Sequence, residues 1–120
     1  MQQLFIFCVG AFCYTLLEIL WRGYSHWTMS VTGGICLVLI CFINTHLTQT
    51  PLLLRALLCA SGITAIEFAV GCIVNLVLGW NVWDYSALPF NLLGQICPYY
   101  SFLWFLLCIP IGFYIAIFPI

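Results

Sequence analysis

The last apolar run of this chain, residues 96–118, contains no charged residue at all. Three other runs are similar: LFIFCVGAFCYTLLEILW at 4–21, VTGGICLVLICFINTHL at 31–47, and a longer one over about 52–78. A helix needs about 20 residues, at about 1.5 Å each, to cross the hydrocarbon layer of a bilayer. Four such helices fit in 120 residues and six do not. The chain carries 2 basic and 3 acidic residues, 4% of its length, where a water-soluble domain carries about 25%. So little charge leaves lipid as the solvent of the folded surface. The runs therefore predict an all-α membrane protein, a four-transmembrane-helix bundle in a single transmembrane domain over residues 1–120, with a connector at 79–95.

Only Met1, Gln2 and Gln3 precede the first run, and no small-residue cleavage site follows it, so it is expected to stay as a helix. Arg22 follows the first run and Arg55 opens the third, which assigns them to opposite membrane faces. His26 and His46 fall just outside runs and are expected at the interface. The eight cysteines all lie within runs, without a CxxC or a Cys/His spacing that suits zinc. They are expected to pack as small apolar groups, with neither metal nor cofactor.

The two halves of the chain show a weak likeness. LLEILW in the first run and AIEFAV in the third each carry one Glu, and GGICLVLICF and GQICPYYSFLWF follow downstream. Trp27 and Trp83 precede those strings. Real duplication would make two parallel two-helix repeats related by an axis along the membrane normal; chance recurrence of Gly, Ile and Cys is the alternative.

Glu18 and Glu67 are the most informative positions. An acid inside the membrane costs roughly 2.5–3.5 kcal/mol on insertion scales and so faces the bundle interior, pairs, or takes up a proton. Glu18 has Arg22 at i+4, an arrangement that also suits an interfacial ion pair ending the helix. Glu67 has no basic residue within a turn. Ala60, Thr64, Glu67, Gly71 and Asn75 recur at steps of 4, 3, 4 and 4 and share one face; Gly10, Tyr14, Glu18 and Arg22 form a similar stripe. Small and polar stripes let helices approach closely and bond across the contact, so both stripes are expected to face inward and meet, with Arg22 a partner for either acid.

The connector is both greasy and polar. Trp80, Trp83 and Tyr85 suit the headgroup boundary as interface anchors. Pro89 and Asn91 favour a turn, and Asn91 is placed to cap the last helix. Pro98 and Pro110 are expected to bend that helix or mark its first turn. The run Ala87-Leu88-Pro89-Phe90 is too apolar for a free loop, which implies a partly buried connector before the last helix. One reading makes it a lid placing Asp84, Asn91 and Gln95 over the interior acids, and the other makes it an aromatic anchor alone.

The string WDYS, PFN, GQIC, YS and W between Trp83 and Trp104 resembles the Putative ABC-transporter type IV (CmpB) family, which includes animal transmembrane proteins of the 229 type. Glu67 with GCIVN at 71–75 fits the same pattern, and Glu18-Trp21-Arg22-Gly23 fits it more loosely. The resemblance implies a small polytopic membrane protein with a permease label. This sequence has no Walker motif or ATPase domain, so it is not expected to act as an ABC transporter by itself. Family members are often longer, which implies a second copy or another membrane protein as partner.

Three functions follow from these residues. The first is a permease-like or transport-associated subunit in the plasma membrane, its interior polar site built from Glu18, Arg22, Glu67, Asn75, Asp84, Asn91 and Gln95 and open to a small solute or lipid. The second is a structural or regulatory bundle whose polar stripes specify helix pairing. The third is a lipid-modifying enzyme with a glutamate as general base, for which the sequence shows no nucleophile constellation, metal cluster or phosphate loop. Nothing in the charge pattern suits nucleic acid.

Overall fold

In the computed structural model, residues 2–23, 26–80 and 82–118 are described, the side chains of Gln2 and Arg22 excepted. The helices are α1 (Gln2–Arg22), α2 (Trp27–His46), α3 (Leu52–Gly71) and α4 (Pro98–Ile117). A π-helical turn, Cys72–Val77, continues α3. All four helices are long and apolar enough to cross a bilayer, and the chain is an integral membrane protein.

The helix ends have local causes. The second helix starts at Trp27, ahead of the apolar run at Val31, because His26 closes its first turn. The Thr28 backbone N–H donates to His26 Nδ1 at 3.2 Å, and the Thr28 hydroxyl pairs with the same nitrogen at 2.7 Å. At the far end of α3, the Leu78 N–H bonds the Ile73 carbonyl at 2.9 Å and the Trp80 N–H the Val74 carbonyl at 3.0 Å. These spans are wider than the α-helical i→i−4 bond, as in the π turns that interrupt helices near functional sites. Pro98 takes the first position of α4, where a missing N–H leaves no bond unmade, and Pro110 sits within the helix.

The chain divides into two compact units, Met1–Leu39 and Ile40–Ile120, with the boundary inside α2. In the first unit, α1 lies close against α2 through glycine. A methyl on Gly10 would come within 2.6 Å of Leu37 Cβ and 2.8 Å of the Gly33 carbonyl. Tyr14 covers Gly33 and Phe7 covers Gly34, so backbones approach where side chains are missing. The Thr15 and Ser30 hydroxyls bond across the same contact.

In the second unit α3 packs on α4. Ala56, Cys59, Ala60, Ile63, Glu67 and Gly71 form the buried face of α3, and Cys108, Gly112 and Ile115 that of α4. Thr64 and Ser101 join the helices by a hydroxyl–hydroxyl bond of 2.8 Å. The last turn of α2 joins them through Asn44, whose side-chain oxygen would lie 2.8 Å from a methyl on Gly112. The described cysteines are free thiols, five of them buried.

The two Gly-x-Ile-Cys strings occupy different places. Gly33–Cys36 lies well inside α2, whereas Gly94–Cys97 belongs to the connector, where Gly94 takes φ 74°.

Candidate functional site

The inward stripe of α3 leads to the site. Glu67, one turn before the end of α3 and its π turn, is 5% exposed. One turn on, at Gly71, the connector rests directly on the helix: a methyl there would come within 2.5 Å of Gln95 Oε1 and 3.0 Å of the Trp83 ring. Glycine is needed at this seat because any side chain would occupy the position of Gln95.

Asn75, in the π turn, fastens the connector in place. Its Oδ1 accepts the Val82 N–H at 2.6 Å and, more distantly, the Trp83 N–H at 3.4 Å. Backbone N–H groups only donate, so the accepting atom has to be oxygen and Nδ2 has to be the donor on the other side. That donor meets Gln95 Oε1 at 2.8 Å. Gln95 Nε2 donates to the Leu93 carbonyl at 2.9 Å, and the Trp83 indole N–H donates to the Gln95 carbonyl at 3.0 Å. Gln95 is 3% exposed and Trp83 6%. Buried polar networks whose members are bonded in this way are rigid.

The rest of the connector holds its own shape. Asn91 Nδ2 donates to the Leu88 carbonyl at 2.8 Å and the Ser86 carbonyl at 3.2 Å, and its Oδ1 accepts the Gly94 N–H at 2.9 Å. The Tyr85 N–H bonds the Gly94 carbonyl at 2.8 Å. These bonds keep Phe90 and Leu93 at φ 57° and 55°, a left-handed backbone that costs about 1–2 kcal/mol for a residue with a side chain. Asp84 is exposed and its Oδ1 accepts the Ser86 N–H at 2.9 Å. The Ser86 hydroxyl and N–H hold the Asp84 carboxyl below its ordinary value.

Several expectations change against this geometry. Trp83 is buried, its indole N–H donating to the Gln95 carbonyl, which draws the ring inward. Trp80 is exposed, and Tyr85 is half-buried and stacked on Tyr100 at 4.7 Å. Asn91 does not cap α4, whose N-cap position is Cys97 without a side-chain bond. Asp84 and Asn91 work inside the connector, so of the lid residues only Gln95 reaches α3. Glu18 is half-buried in the first unit, and the Arg22 side chain lies outside the described residues.

A further polar pair joins α2 to α3, Arg55 with Asn44, beyond the expected stripes. Arg55, 8% exposed, donates from Nε to Asn44 Oδ1 at 2.9 Å and from Nη1 to the Thr50 carbonyl at 2.6 Å. The signal was present: a cation within LLLRALL has no acid nearby in sequence and has to find neutral oxygens. Asn44 lies at matching depth across the short α2–α3 turn.

A groove of about 490 Å3 follows the α3–α4 contact, lined by Leu57, Ala60, Thr64, Ser101, Phe102 and Phe105 among others. Neither Glu67 nor Asn75 lines it. Among the described residues, no three His, Cys, Asp or Glu gather as a metal site.

A family model described as Putative ABC-transporter type IV matches residues 5–119. The chain belongs to this family. The match takes in all four helices, the α3 stripe and the connector seated on it. No curated protein and no solved structure matches the chain.

Proposed function

We propose that this member of the family is a permease-like, transport-associated subunit whose working group is Glu67. The observation that carries this reading is a carboxyl group 5% exposed inside the apolar span Leu52–Val77, one turn from the seat of a polar connector. An acid at that depth serves proton relays and cation paths, so the cargo suited to it is a proton, a small cation or a solute bearing a cationic group. The Asn75–Gln95–Trp83 network closes one end of this site, and the π turn gives α3 a local break beside it. Four helices enclose little volume, which favours a homodimer or a complex with another membrane protein, in the plasma membrane.

The test is proton uptake into vesicles holding the purified protein and a trapped pH-sensitive dye, driven by an imposed potential. Glu67→Gln keeps size and hydrogen bonding but removes the exchangeable charge, and is expected to slow uptake by at least about tenfold. Wild-type uptake no faster than that of empty vesicles, or equal rates for wild type and Glu67→Gln, would sink the proposal. A second reading, a bundle whose polar groups serve helix pairing, draws support from the Thr64–Ser101 and Asn44–Arg55 bonds between helices. On that reading Glu67→Gln changes neither flux nor assembly.

A further inference from the structure

The turn between α2 and α3 concentrates positive charge against neutral protein groups. The two hydrogen bonds of Arg55 go to the Asn44 side-chain oxygen and the Thr50 carbonyl, and the residue is 8% exposed. A guanidinium presents five N–H donors in a planar fork, so these two bonds leave more than half of it uncommitted. The bond to Thr50 draws the head group back past Pro51 to the start of α3. There the N–H groups of Leu52, Leu53 and Leu54 have no intrahelical acceptor by position. Pro51 supplies no side-chain cap, and the first turn contains no acid. A helix start carries roughly half a positive charge, which adds to the cation beside it.

The same unit offers no acid to balance this charge. Its acidic residues are Glu67 and Asp84. Glu67 lies three turns further along α3, about 18 Å by helical rise, and Asp84 follows the opposite end of that helix. Among the described residues of this unit no acid pairs with Arg55, and a desolvated cation without a counter-ion is costly, a cost that neutral oxygens only partly offset. The depth is informative too. Thr48, Gln49 and Thr50 make a polar turn, and the exposed Leu53 and Leu54 begin the apolar surface just beyond it. That boundary is where phosphate headgroups lie, and an Arg just inside it reaches outward to them.

We propose that Arg55, oriented by Asn44 and Thr50 at the start of α3, binds a phosphate oxyanion, carried by a lipid headgroup or free in solution. The fork of a guanidinium matches two oxygens of a phosphate, and helix-start N–H groups suit a third. A carboxylate has no third oxygen to offer. This site stands apart from Glu67 and holds or fails independently of the transport reading.

The test uses the detergent-purified full chain and native mass spectrometry. The probes are a phosphatidylglycerol, a diacylglycerol with the same acyl chains, and inorganic phosphate read by thermal shift. Wild type is expected to retain the phosphatidylglycerol over the diacylglycerol. Arg55→Gln is expected to weaken that retention at least about tenfold, with helical content unchanged, while Arg55→Lys, a cation without the fork, falls between. If Arg55→Gln does not fold, the drop from wild type to Arg55→Lys carries the comparison. Stabilisation by inorganic phosphate in wild type and not in the variants, without lipid preference, assigns the site to a soluble anion. Equal retention of both lipids by wild type with no phosphate stabilisation overturns the proposal, as does binding that Arg55 variants leave unchanged.

Discussion

Asn75→Ala disconnects the connector from α3 at a single atom group. The substitution leaves the Val82 N–H without its 2.6 Å acceptor and Gln95 Oε1 without its 2.8 Å donor, and removes the longer contact to Trp83. Val82 and Gln95 are both buried. A buried polar group left unsatisfied costs about 1–3 kcal/mol; two such groups at the lower end give about 2–3 kcal/mol, since water can reach part of a helix mouth. At about 1.4 kcal/mol per factor of ten, opening of residues 82–97 becomes roughly 30- to 150-fold more frequent. Hydrogen–deuterium exchange of the protein in lipid nanodiscs reads this directly as lost protection in peptides covering those residues. Asn75→Asp keeps the acceptor for the Val82 N–H and loses only the donor to Gln95 Oε1, so protection at Val82 should be retained while that around Gln95 falls. Unchanged exchange at 82–97 in Asn75→Ala, or a loss spread evenly over α4, would refute the reasoning.

Gly33→Ala should loosen α1 from α2, because its methyl collides with Tyr14; overpacking of this kind costs about 1–3 kcal/mol, visible as a lower melting temperature in detergent. The Asp84 bonds to Ser86 favour the carboxylate and lower its pKa. Their contribution is therefore complete above the ordinary aspartate value of about 4 and fades as pH falls through the lower folded-state value. Intensity of the Ser86 amide resonance followed by NMR should drop over that acid range in wild type and show no such step in Asp84→Asn.

The four helices and the inward face of α3 were legible because both rest on local periodicity. Runs of apolar residues at membrane length fix the helices, and the recurrence of Ala60, Glu67 and Gly71 fixes the buried side. What depends on contacts remote in sequence was less legible. Trp83 reads as an interface residue by type, and only the approach of the Gln95 carbonyl makes it a buried one. Asn75 reads as a member of the α3 stripe, but its bonds to Val82 and Gln95 follow from a π turn for which the sequence has no clear mark. Asn91 carries the composition of a helix cap, yet the backbone it satisfies is that of its own turn. The Arg55–Asn44 pair is legible in part, since a cation in an apolar helix requires oxygen atoms and Asn44 lies just across the α2–α3 turn.

The clasp between Asn75, Gln95 and Trp83 is built from two amides and an indole, none of which gains or loses charge across the range in which cells live. Acidity and salt therefore have no handle on it, however much they alter the carboxyl group one turn away. A catch of this kind yields only to something that competes for its hydrogen bonds, so the connector's hold on α3 and the carboxyl group beside it answer to different stimuli.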